Sequence, residues 1–213
     1  MEVIHIASGR VITGYSYPYY TKREQTTADS ANELARGVDV NISIETDDDI
    51  YFYANNRKVE TGAIGGFAGG TLDLTIDGLK TNVIKDLFSV TADGSGTDPD
   101  GYIYKKGDTP ATVAFGCIVR TQEDNATKYH YLILPKVVFS IPDDVAATQE
   151  EDIEFQTTNL SGEIYADYYT HTTSEEPDDY GMWKYLSKEY ATETACQTAL
   201  ETKIVTYSTH ISE

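Results

Sequence analysis

Apolar residues alternate with polar ones in several short stretches of this chain, and recur at every third or fourth place in only two. In VDVNISIET, Val38, Val40, Ile42 and Ile44 share one parity. In GGTLDLTIDGL, Leu72, Leu74 and Ile76 oppose Thr71, Asp73, Thr75 and Asp77. A period of two predicts strands with one dry and one wet face. DDDI turns the chain after the first of these, IYFYA gives another short strand, and Asn55-Asn56 supplies a turn before RKVETGAI. The longest signal is ATVAFGCIVRTQEDNATKYHYLILPKVVFS, a hairpin. Val113, Phe115, Cys117 and Val119 alternate on its first arm, QEDNAT turns, and Tyr129, Tyr131 and Ile133 alternate on the return. His130 has the opposite parity, which places it on the wet face. Pro135 lacks a ladder donor and predicts a bulge or a free edge. EEDIEFQTTNLSGEIYADY reads as a further pair of strands, with Ile153 and Phe155 inward and a turn near Ser161-Gly162.

The period changes in KTNVIKDLF. Leu79, Val83 and Leu87 are spaced by four, joined by Ile84 and Phe88, which predicts a helix that covers a sheet edge or barrel mouth, with Asp77 as its cap. A second helix is expected from about Ser187 to Glu201, with Ala191, Ala195 and Ala199 on a face beside Cys196 and Leu200, followed by a strand in KIVTYSTHI. RVITGYSYPYYTKR reads as extended, and irregular or at an edge because of Pro18. TTADSANELARG reads as a loop with a short helical turn, GGFAGG (65–70) as permissive backbone ahead of a strand, YYTHTTSEEPDDYGMW as a polar connection, and 91–110 as a long loop. Loops of that length in a compact domain usually have a purpose. The expected fold is mainly β: a β-sandwich or partly rolled barrel with a flanking α-helix and a second helix near the C-terminus, in one domain over 1–213.

Composition adds charge to this picture. Thirty-five acidic against sixteen basic residues give a net charge of −19 over 213 residues. A chain so acidic repels nucleic acid from most of its faces. No apolar run approaches the length of a membrane-spanning helix, and MEVIHIASGR lacks the pattern of a secretion signal. Of the two cysteines, Cys117 is expected buried in a strand and Cys196 on the apolar side of a helix, with no disulfide between them.

Candidate chemistry is sparse. His5, His130, His171 and His210 have no second histidine at metal-ligand spacing, and no P-loop, G-x-S-x-G or C-x-x-C motif occurs. Asp47, Asp48 and Asp49 are of the right type for a hard cation. Asp93, Ser95 and Thr97 match the start of a calcium loop, but its sixth-position glycine and closing glutamate are missing. No carboxylate pair stands out for glycosidase work. The residues therefore point to no catalytic, cofactor or metal site, and to a non-enzymatic role.

The order and spacing of ELARGVDVNISIET, YFYANNRKVET, GGTLDLTIDGL and DIEFQTTNLSGEI resemble the major tail proteins of long-tailed phages of Gram-positive bacteria, prophage copies included. The likeness runs from about position 9 to 170 and weakens over the last forty residues. It implies a tail tube subunit, six copies of which form a ring by continuing their sheets into an inner β-barrel. Rings stack into a tube whose commonly acidic lumen conducts double-stranded DNA without specific binding. It implies self-association, contacts with tape measure, terminator and distal tail proteins, assembly in the host bacterial cytoplasm and residence in the virion tail. The N-terminal segment 1–37 and loop 91–110 are then the candidate ring-to-ring contacts. The alternatives are another ring-forming virion protein (tail terminator, head decoration or baseplate-proximal) or a carbohydrate-binding β-sandwich presenting some of the seventeen tyrosines.

Overall fold

The computed structural model describes residues 11–23, 29–46, 51–54, 57–61, 66–94, 100–123, 126–143, 157–168 and 181–208. Their strands are β1 (Val11–Lys22), β2 (Asn32–Glu33), β3 (Gly37–Thr46), β4 (Tyr51–Ala54), β5 (Arg57–Thr61), β6 (Phe67–Ile76), β7 (Thr91–Asp93), β8 (Gly101–Ile103), β9 (Thr112–Glu123), β10 (Ala126–Phe139), β11 (Thr158–Ile164) and β12 (Tyr185–Leu186). The helices are α1 (Thr81–Phe88) and α2 (Glu193–Val205). The main sheet is antiparallel and open, in the order β2-β1-β9-β10-β11-β6-β3, with β12 also on β10. β4–β5 and β7–β8 are separate two-stranded ribbons. A mainly β fold with two flanking helices is thus what forms.

The β9–β10 hairpin is the spine of the sheet, and it is dry on both sides. Val113, Phe115, Cys117 and Val119 face one cluster with Leu132, Leu134, Leu72, Leu74 and Ile76, so the sheet rolls to bring its two wings together. Val83, Leu87 and Phe88 of α1 join this cluster. The opposite face, Ala114, Ile118, Tyr131 and Ile133, carries α2 through Cys196, Leu200 and Ile204. His130 is consequently buried at 7% exposure, not on a wet face. Parity correctly separated it from Tyr129 and Tyr131, but both faces of β10 are covered. Helix α2 starts later than expected and continues through Val205, so its buried stripe is Cys196, Leu200 and Ile204, and in place of the strand expected in KIVTYSTHI the described residues 203–208 finish the helix and turn. Gly116 lets α2 approach: a Cβ there would lie 2.7 Å from Leu200 Cδ1 and 3.2 Å from the Leu132 carbonyl.

Pro135 marks a change of partner. On one edge, β10 pairs with β12 at Leu132 and Ile133, then with β11 at Val137 to Phe139, and its register with β9 shifts between Leu134 and Val137. At this bend the Arg23 guanidinium donates to the Pro135 carbonyl at 2.6 Å and to both oxygens of Asp167 at 2.7 and 2.9 Å. Arg23 and Asp167 are buried. Pro18 sits beside a second irregularity, where the β1–β9 register shifts between Ser16 and Tyr19 and Tyr17 takes a left-handed φ of 51°.

Other expectations need correction. β11 runs straight through Ser161-Gly162 instead of turning there; Gly162 is required because a Cβ would lie 2.8 Å from Phe139. Phe67 to Gly70 of GGFAGG already belongs to β6, with Gly70 bare against the Ser43 carbonyl of β3. Asp77 does not cap α1: it accepts the Arg36 backbone N–H at 3.0 Å, and the N-cap position falls at Lys80. Loop 91–110 contains the β7–β8 ribbon. The described part of TTADSANELARG holds β2 and no helical turn. Ile153, Phe155 and the turns at DDDI and Asn55-Asn56 lie outside the described residues.

Two outcomes follow from this packing. Gly116→Val should destabilise the fold by about 1–3 kcal/mol through overpacking against Leu200, read as a lower urea midpoint. Asp167→Ala, which leaves Arg23 charged and buried, should cost about 3–5 kcal/mol in the same measurement.

Candidate assembly interface

Strand β3 ends the sheet. Its ten residues pair with β6 on one side; on the other side no described strand hydrogen-bonds to them, although β1 lies close by. Its apolar row faces the core incompletely: Val40 and Ile42 pack on the main cluster, while Val38 is 60% and Ile44 38% exposed. Alternation in VDVNISIET was legible, but the strand's place at the margin was not. An open margin of this length presents a row of N–H and C=O groups to any strand that can reach it.

The other margin is β1. The two-residue β2 pairs with it only at Tyr19 and Tyr20, and no other described strand pairs along the stretch from Val11. The two margins approach each other where the Tyr15 ring lies over Gly37, the only residue type that fits there, since a Cβ would collide with the ring. The Tyr15 hydroxyl is buried without a hydrogen-bond partner among the described residues. Burial, and less so the nearby Cys117 and Asp39, push its pKa well above the ordinary phenol value. A pocket of about 290 Å³ opens beside this seam, lined by Tyr15, Glu33, Arg36, Gly37 and Glu193 among others.

Beside the β3 margin lies a wholly polar face. Register places Asn41 beside Asp73 and Ser161, Asp39 beside Thr75 and Asn159, and Ser43 beside Thr71 and Glu163. The Ser161 hydroxyl donates to Asp73 at 2.7 Å, and the Thr75 hydroxyl donates to Asn159 at 3.2 Å. With Glu45 this wing carries carboxylates and neutral polar groups and no lysine or arginine. In isolation that is the wet side of an antiparallel sheet, but its single sign is a property of its own.

The remaining candidates do not converge. Among the described residues no group of three or more His, Cys, Asp or Glu side chains is placed to hold a metal ion. Asp93 ends β7, while Ser95, Thr97, Asp47, Asp48, Asp49, His5, His171 and His210 lie outside the described residues. Tyr131 stacks with Tyr185 and Tyr190 at centroid distances of 6.0 and 6.1 Å. Lys203 and Lys188 lie over the rings of Tyr185 and Tyr190. These rings are occupied by one another and by cations, an arrangement unlike an open sugar platform. Sequence reasoning missed the Tyr15–Gly37 seam and the Arg23–Asp167 pair, since nothing local ties residues so far apart in the chain.

No protein-family model matches this chain, and no curated protein matches it significantly.

The cysteines are free and buried. Burial pushes Cys117 up to about 12 and Cys196 up to about 11, from an ordinary thiol value of 9.0. Both thiols should therefore resist an aromatic disulfide reagent at pH 8 in the folded protein and react once urea unfolds it. The sign of the pH effect follows: above about pH 9 the unfolded thiols ionise while the folded ones do not, so their contribution to stability falls as pH rises.

Proposed function

We propose that this chain is a structural subunit of a phage tail tube, which forms stacked, six-membered rings around a DNA-conducting lumen. The observation that carries the reading is the outer margin of β3, ten residues long, which no described strand pairs. A sister copy that pairs there satisfies backbone groups that would otherwise invite uncontrolled association, and closed symmetry limits the contact to a ring. The resemblance in the order of the strand segments supports the same reading.

If sheets continue across β3, the wet face of β3, β6 and β11 turns toward the ring interior. Asp39, Glu45, Asp73 and Glu163 then face the passage, and DNA meets a wall of its own sign. The interior needs no catalytic or binding residue; its task is to keep the polymer from adhering. Partners in this reading are further copies of the chain and the tape measure, terminator and distal tail proteins. The tail would be assembled in the host bacterial cytoplasm and act as part of the virion. The same charge that repels DNA also opposes assembly, because each copy brings a net −19.

Negative-stain images and a sizing run at raised protein concentration test this directly. Six-membered rings or uniform hollow tubes are expected, and a monomer at every concentration and salt would contradict the reading. Raising salt from low to a few tenths molar should promote assembly by screening the like charges. Ile44→Lys places a cation on the exposed margin; it should change monomer stability by no more than about 0.5 kcal/mol and abolish ring formation.

A further inference from the structure

The two margins of the main sheet face the same gap. Along the path β1-β9-β10-β11-β6-β3 every step is antiparallel, and the successive reversals leave β1 and β3 antiparallel to each other. Antiparallel neighbours exchange hydrogen bonds directly when they come within reach. These two strands lie close, and each has a backbone side that no described strand pairs over most of its length, yet no ladder joins them. Pairing them would close the sheet into a barrel within one copy, and a closed barrel has no edge. Tyr15 stands at this gap. It pairs with Val119 of β9 and packs on the main cluster, so its ring lies on the core side. Its tip reaches Gly37: the atoms nearest to where a Cβ would sit are the Tyr15 hydroxyl oxygen and two carbons of its ring. The backbone around the contact is irregular in both strands. On β1 the register shifts before and after Tyr15, between Ile12 and Gly14 and between Ser16 and Tyr19, and on β3 it shifts between Gly37 and Asp39. The Tyr15 hydroxyl is buried without a partner among the described residues, a cost that a phenylalanine would avoid.

Resting on the tail-tube reading, we propose that Tyr15 is a spacer: it seals the gap between β1 and β3 with a side chain, so that their backbones do not seal it by pairing with each other. A gap closed by hydrogen bonds would shield the core equally well but would use up the outer side of β3. A gap closed by a ring shields the core and leaves those N–H and C=O groups to a sister copy. Length decides between the two. The Cα atoms of paired antiparallel strands lie about 4.5–5.5 Å apart. A tyrosine side chain stretched from β1 onto the backbone of Gly37 spans more than that, so the strands stay beyond ladder distance while it is in place. Gly37 gives the ring a bare seat, which lets the margins come near enough to cover the main cluster and no nearer. The register shifts around Tyr15 and Gly37 act in the same direction, because bulges disrupt a ladder locally and discourage pairing at an edge.

The test replaces Tyr15 by shorter apolar residues in the full chain. In Tyr15→Leu and Tyr15→Val the margins should pair within one copy. In the lone subunit of either variant, the β3 N–H groups that point away from β6 should then exchange at least about tenfold more slowly than in the wild type, and rings should be lost. Tyr15→Phe, which keeps the ring and removes only the unpartnered hydroxyl, should behave as the wild type in both measurements. Outward N–H groups that still exchange fast in both shorter variants would overturn the spacer, and so would rings at the wild-type level. Unfolding of both shorter variants would overturn it as well, because Tyr15 would then be a core residue and not a spacer. The exchange measurement needs no assembly. If the wild type forms no rings at any salt, the tail-tube reading fails, and the lone-subunit pattern still decides whether Tyr15 holds the margins apart.

Discussion

Every strand in a sheet has two sides of backbone to satisfy, and among the described residues the main sheet leaves its longest unpaired stretches at its margins. The middle strands are paired on both sides, and short pieces finish the accounting where the bends fall: β12 takes up the part of β10 that β11 does not reach. Among the described residues the outer side of β3 has no such filler. A strand of ten residues left in that condition is an aggregation hazard in a lone protein and a joint in an assembling one. That choice governs how the polar wing and the net charge are understood.

The interior is organised so that the margins hold their shape. A hairpin covered on both faces gives the sheet a rigid centre: α2 closes one side over the bare backbone of Gly116, and the inward roll closes the other. The Arg23–Asp167 pair secures the bend at Pro135, where β10 changes partner, and the Tyr15 ring over Gly37 fixes how near the margins come. On the proposed reading, coupling between copies through such a sheet would need no moving part. The margin is presented already formed, so little ordering entropy opposes its use.

Local chemistry made much of this readable and tertiary coverage hid the rest. The alternation of Leu72, Leu74 and Ile76 and the spacing of Val83 and Leu87 reported their own burial, because each element has a single dry side. His130 and the true stripe of α2 were misjudged for the opposite reason. A strand covered twice has no wet face for parity to find, and an alanine row on α2 is less demanding of burial than Cys196, Leu200 and Ile204. The straight run of β11 through Ser161-Gly162 misled because a turn-like pair there answers to a crowding ring, Phe139, far away in sequence. Of the candidate interface, the polar row of β3 and β6 was visible in the sequence. Its position at an open edge was not, since an edge is defined by the neighbour that is missing.

Amide hydrogen exchange across β3, measured before and after assembly, bears most directly on the central claim. In the separated subunit, the N–H groups of residues 37–46 that point away from β6 should exchange fast, while those that pair with β6 are slow, an alternating pattern. On assembly the fast set should become protected, with the β9–β10 hairpin unchanged. Uniform protection of β3 in the lone subunit, or an assembled form in which the outward set still exchanges freely, would contradict the claim that this margin is completed by a sister copy.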